Sequence, residues 1–227
     1  MRIHRLILLV ALTIGFVTTS FSQHQRYRIQ NGIGIYGGIT QFDFSTKNFT
    51  TKAEQGWLVG ASATVDIPHK WYNMSYSIQL AENKIGIAAR PNATVLSEEF
   101  LDYKLFTAQI ALLMHVKLIG PYVTLDVGPM LQYNGDLELK DDNKENYIIN
   151  SYANLMAKDI SEISKFNVDG AVGISAGISH FRLKAQYIYG FLNSFNKLND
   201  ANLDRTGNPN SFKGNQSMLV FTAMVSF

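Results

Sequence analysis

The chain contains no cysteine among its 227 residues. That excludes a disulfide framework and any thiolate metal site, and it excludes a lipid anchor, which needs Cys at the cleavage point. Charge is sparse, at 17%, and of neither sign in excess. The formal net charge of +2 equals Arg2 and Arg5 alone; taking those two from the 20 basic residues leaves 18 against 18 acidic ones. No basic stripe therefore points to nucleic acid. Beyond residue 22 no apolar run approaches the roughly 20 residues that a membrane-spanning helix needs, which excludes a helical membrane protein. The segment Asp141 to Asn146 is acidic, but Lys144 interrupts it and the glycine of a Ca²⁺ loop is missing, so it reads as a solvated loop.

The amino-terminus is patterned as a leader. Arg2 and Arg5 precede an apolar run from Leu6 to Val17, followed by Ser20, Phe21 and Ser22. A charged region, an apolar region of about a dozen residues and a small-residue site make a secretory signal peptide. The expected organisation is a signal peptide over 1–22, a short stub over 23–30 and a single domain over 31–227. At the other end, Leu219, Phe221, Ala223, Val225 and Phe227 share one face of an uninterrupted alternating strand. Such a strand ending on an aromatic residue resembles the closing strand of a bacterial outer-membrane β-barrel, with Phe227 as its assembly signal.

Alternation of period two predicts eight strands, at about 32–44, 55–67, 71–85, 100–117, 121–134, 166–179, 181–192 and 216–227. Each is near the roughly 9 to 11 residues that a tilted strand needs to cross a bilayer. Tight turns at Pro68 to Lys70, at Leu118 to Gly120 and around His180 alternate with long connections over 45–54, 86–99, 135–165 and 193–215. Short turns on one rim and long loops on the other are the outer-membrane arrangement, and they place both mature termini in the periplasm. The fold class is thus an all-β, eight-stranded antiparallel up-and-down transmembrane barrel. A soluble lipocalin-like barrel is the alternative, with the apolar series inward instead of outward.

Aromatic girdles are expected at both rims: Trp71, Tyr72, Tyr122, Phe181 and Phe227 on the periplasmic side, and Trp57, Tyr103, Tyr133 and Phe191 on the outer side. Near Glu82 to Lys84 the apolar face switches from even to odd positions, which predicts a bulge or an exit from the membrane. Tyr152, Leu155, Met156, Asp159, Ile160 and Ile163 fall at helical spacing and predict a short surface helix, most simply a lid over the barrel mouth.

An eight-stranded barrel is just wide enough for its own side chains to fill. The lumen series includes Asp66, Gln79, Gln109, His115, Lys117, Asp126, Asp169, Arg182 and Lys184. The network of Asp66, His115, Lys117, Asp126, Arg182 and Lys184 reads as a paired ionic plug, since a buried charge must find a partner. The histidines argue against chemistry on outer-leaflet lipid: His69, His115 and His180 map to the periplasmic side, His24 to the stub and His4 to the leader. Their scatter also argues against a His-based metal site. No catalytic, cofactor or metal site is expected.

The carboxy-terminal third carries a resemblance. Phe166-Asn167-Val168-Asp169-Gly170 with Gly173 and Gly177, then Gln186-Tyr187-Ile188-Tyr189-Gly190-Phe191-Leu192-Asn193, then the last strand resemble the PorT-like outer-membrane β-barrel family common in Bacteroidetes. Gly37-Gly38 in the first strand extends the likeness in layout. The resemblance implies an eight-stranded outer-membrane barrel; one named member serves protein secretion and gliding motility, a role that no residue here singles out. The expected function is a non-enzymatic barrel with a structural or partner-binding role through long extracellular loops, the alternatives being a secretion component or a narrow channel. The expected partners are outer-membrane lipid, the barrel-assembly machinery at the last strand and a protein at the loops.

Overall fold

A computed structural model describes residues 32–66, 69–92, 97–178 and 180–227. The expected signal peptide and stub lie outside the described residues. The strands are β1 (Gly32–Thr46), β2 (Thr51–Val65), β3 (Tyr72–Arg90), β4 (Glu99–Ile119), β5 (Val123–Leu139), β6 (Ile148–Ile149), β7 (Phe166–Ile178), β8 (Phe181–Gly190) and β9 (Gly214–Ser226). Each pairs antiparallel with its neighbours, β9 pairs back onto β1 and β2 onto β3, so eight strands close on themselves. The two-residue β6 lies outside the ring, against the Ala89–Arg90 end of β3. No described helix is long and apolar enough to cross a membrane.

The apolar series faces outward. Ile33, Ile35 and Ile39 on β1, Tyr76, Ile78 and Leu80 on β3, and Val172, Ile174 and Ile178 on β7 are exposed, whereas Thr40, Ser75, Ser77, Gln79, Thr124 and Gln132 are buried. This is inside out for a soluble barrel, and it is the arrangement that hydrocarbon requires, because closure pairs the strand backbones without an edge. Trp57, Tyr133, Phe191, Trp71, Phe181 and Phe227 are exposed at the rims. Tyr103 is not part of the outer girdle: it points inward, fully buried, and its hydroxyl donates to the Ala157 carbonyl at 2.9 Å.

The strands on one side rise well beyond the apolar belt. On β3 the odd residues from Asn73 to Ala89 are buried throughout, in unbroken register with β4 from Val116 to Glu99. The switch at Glu82 to Lys84 is therefore not a bulge in β3. One face stays inward and changes character from polar to apolar where the strand leaves the belt. The extra residue belongs to β2, between Ala53 and Trp57. Extension also removes an expected loop: the connection over 45–54 shrinks to residues 47–50 between β1 and β2.

The rising wall encloses an apolar core of its own. Phe42, Phe44, Ile85, Ile87, Leu101, Tyr103, Leu105 and Leu137 point inward above the belt. Onto them fold the two longest loops, contributing Tyr152, Leu155, Ile160 and Ile163 from one and Phe195, Leu198 and Phe212 from the other. Phe195 packs 4.7 Å from Phe44 and 5.1 Å from Phe49, ring centre to ring centre. The expected surface helix is absent: only a 3-10 turn forms at Ala157–Ile160, and the apolar residues that suggested a helical face are spent on the core. The helix in this region is instead α1 (Asn196–Asp200), in the β8–β9 loop.

Asparagines hold the loop backbones down. Asn193 Oδ1 accepts from Phe195 and Gly214 amides, and Asn48 ties the β1–β2 turn to Lys213 and Ser211. At the solvent side, bonds from Thr206 and Asn154 hold the Asp204 carboxyl down at about 2. Leu155→Ala should open this cap by about 2–3 kcal/mol through a cavity beneath the loop, seen as faster protease cleavage within 140–165 while the barrel keeps its heat-modifiable gel mobility.

Candidate functional site

The inward polar residues stack in tiers between the mouth at the tight turns and the apolar core. At the mouth Lys117 Nζ lies 3.1 Å from Asp66 Oδ1 and also donates to the Lys70 carbonyl at 3.2 Å. Arg182 donates to the Pro121 carbonyl at 2.6 Å and to Ser175 Oγ at 3.1 Å. Strand pairing dictates the next tier: His115 on β4 stands opposite Asp126 on β5 and Asn73 on β3. Alternation turns all three into the lumen.

In that tier Asp126 is completely buried and collects the neighbouring donors. Its Oδ1 accepts from His115 Nδ1 at 2.7 Å, from Thr124 Oγ1 at 2.7 Å and from Ser175 Oγ at 3.4 Å. Lys184 Nζ stands 4.0 Å from Oδ2, too far for a hydrogen bond but close enough to balance charge, and its other face meets the Tyr36 ring at 5.9 Å. A carboxylate can only accept, so Nδ1 of His115 carries a proton, and in the neutral ring Nε2 then presents a lone pair. Ser75 Oγ sits 2.7 Å from that Nε2.

Above lies a chain of amides that crosses the barrel. Tyr36 donates to Gln79 Oε1 at 2.8 Å, Gln79 to Gln109 at 2.5 Å, Gln109 to Gln132, and Gln132 to both Asn134 and Gln216. Thr40, Asn83 and Thr107 form the last polar rung. Asp169 is buried beside this chain, in a small cavity lined by Gln132, Gln216 and Phe42 among others, and neither of its carboxylate oxygens has a hydrogen-bond partner among the described residues.

All six residues of the expected network thus face the lumen. Asp66 joins Lys117, and His115 joins Asp126 with Lys184 behind it; Arg182 binds a hydroxyl and a backbone carbonyl instead of an acid. Ser75 and Asn73 were not among the expected lumen residues. They belong to the inward series of β3, Asn73, Ser75, Ser77 and Gln79, which runs opposite Tyr76, Ile78 and Leu80. Reading that series as a face, rather than choosing charged residues, is the signal that finds them.

No protein-family model and no curated protein matches the chain. Among solved structures it is similar to the crystal structure of Neisserial surface protein A, at 13% identity and a TM-score of 0.50, over 86% of this chain and 97% of that one. It is also similar to Ail, the attachment invasion locus protein of Yersinia pestis, in complex with the heparin analogue sucrose octasulfate, at 12% identity and a TM-score of 0.45, over 87% of this chain and 100% of that one.

Proposed function

We propose that the chain is an integral protein of a bacterial outer membrane, with both mature termini periplasmic, and that its role is structural. The fold it shares with Neisserial surface protein A supports the membrane assignment, as does the outward apolar belt. The observation that carries the structural role is that the longest loops spend their apolar residues on their own barrel. Tyr152, Leu155, Ile160, Ile163, Phe195, Leu198 and Phe212 are all buried, so among the described residues these two loops leave only Phe191 and Leu192, at the base of one of them, as large exposed apolar side chains. Together with the hydrogen-bonded lumen they seal the bore twice. The barrel spans and stiffens the membrane without opening it and without chemistry at the outer leaflet, and Phe227 serves its delivery to the assembly machinery.

A partner-binding role is the second reading. Phe100, exposed at the outer end of β4 under Lys52, together with Phe191 and Leu192, favours it. A secretion component of the PorT-like kind is its finer form. Folded mature protein in planar bilayers should show no openings above background; regular conductance steps would sink the sealed-barrel role. Heat-modifiable mobility with protease shaving of intact cells tests the rest: a boiling-dependent shift with loops resistant until high protease favours the structural role. Loops cleaved at once and a co-purified protein would favour the partner role.

A further inference from the structure

We propose that Ser75, His115 and Asp126 form a nucleophilic centre at the periplasmic end of the lumen, able to take a small acyl ester, with the Asn73 side chain as oxyanion donor. This departs from the expectation of a non-enzymatic barrel. It adds a periplasmic activity that the structural role does not call for, so the two fail separately.

The geometry is that of an activated serine. Ser75 Oγ is 2.7 Å from His115 Nε2, and His115 Nδ1 is 2.7 Å from Asp126 Oδ1. Asp126 fixes the tautomer: it holds the proton on Nδ1, leaving Nε2 to accept the Ser75 hydroxyl proton. Thr124 and Ser175 fix Asp126 in turn, so the orientation is held from several strands. A nucleophile also needs a donor aimed at the developing oxyanion. Asn73 supplies the second, independent observation. It is fully buried, its side-chain amide has no hydrogen-bond partner among the described residues, and it lies two residues from Ser75 on the same inward face and directly across from His115.

Position and charge set what could enter. Ser75 lies three residues into β3, about 10 Å from the strand end at 3.3 Å per residue, so access is from the periplasm past the Asp66–Lys117 pair. An eight-stranded lumen admits only a small group, and three cations near the mouth, Lys117, Arg182 and Lys184, outnumber Asp66 and Asp126, which suits a neutral or anionic ester. Ser75 Oγ attacks the acyl carbon while its proton passes to Nε2, and the oxyanion accepts from Asn73 Nδ2–H. The alcohol leaves with the proton from Nε2. Water, deprotonated by the same nitrogen, then attacks the acyl carbon, and collapse breaks the bond to Ser75 Oγ, which takes the proton back from Nε2 as the carboxylic acid leaves.

The test uses the detergent-folded mature protein, a small alkyl fluorophosphonate and intact-mass analysis, with 4-nitrophenyl acetate as the substrate. One phosphonyl group on Ser75, with loss of fluoride, is expected. Labelling should vanish in Ser75→Ala and fall at least about 100-fold in His115→Gln. Folded protein that stays unlabelled, or that labels equally well in Ser75→Ala, overturns the proposal. If His115→Gln gives no heat-modifiable band, boiled wild type takes its place: labelling must be lost on unfolding, and labelling that survives boiling also overturns it.

Discussion

Gly128→Val is expected to abolish the closed barrel, giving protein with a single gel mobility whether boiled or not and none in the outer-membrane fraction. Gly128 lies on the inward face of β5, and a Cβ there would sit 2.0 Å from the Leu112 carbonyl oxygen and 3.0 Å from the Leu113 Cα on β4. Those are backbone atoms of a paired strand, so no rotamer change relieves the contact. Strands that coil tightly enough for a ring of eight bring neighbouring backbones into the space of a side chain, and glycine is the residue that permits it. Gly38 is the counterpart across the closing seam: its Cβ would meet the Phe221 carbonyl oxygen at 1.9 Å. Gly37→Val is the matched control. A Cβ at Gly37 would find its nearest atom at 3.7 Å, and this variant should fold. A heat-modifiable Gly128→Val barrel would mean that β4 and β5 can separate without losing closure.

Asp126→Ala should lower stability by about 3–5 kcal/mol, the cost of stranding buried charge when one partner is removed. The substitution leaves His115 Nδ1, Thr124 and Ser175 without their shared acceptor and Lys184 without its counter-charge, in a tier where Asp126 is completely buried. The readout is the urea midpoint for unfolding of the protein in detergent or vesicles. Combining Asp126→Ala with Lys184→Met should recover part of the loss, because the second change removes the stranded cation. Additive losses in the double variant would show that the 4.0 Å approach of Lys184 to Asp126 carries no coupling. Replacing Asp66 at the mouth should cost far less, since its partner Lys117 retains a bond to the Lys70 carbonyl and both side chains are partly exposed.

How much of this was legible before the structure depends on which side of the belt a residue occupies. Within the belt, hydrocarbon and lumen impose opposite demands on alternate positions, so period two identifies the strands and their faces, and the tight turns follow from where it stops. Above the belt the inward face becomes apolar while the outward face meets water, so the sign of the alternation inverts without any change in backbone. Ile85 and Ile87 therefore looked like a register fault, the ends of β1 and β2 looked like a loop, and Tyr103 looked like a girdle residue. Tyr152 to Ile163 matched a helical period by coincidence; their spacing is set by which residues of an irregular chain reach down into the core, Tyr152 against Phe49 and Phe212 among them. Charged lumen residues were easy to name because charge is rare in this chain. Gln79 and Gln109 were legible as lumen residues by alternation, whereas neutral Ser75 and Asn73 on the same face of β3 stood out by neither charge nor size.

The apolar chamber beneath the loops gives the molecule two kinds of cohesion with different thermal behaviour. Opening the outer chamber exposes aromatic and aliphatic surface to water, so its stability should follow a curve with a large positive heat-capacity change and weaken on cooling as well as on heating. The belt below keeps its apolar surface in lipid throughout and lacks that term. Cold is therefore expected to loosen the cap of the barrel well before it troubles the wall.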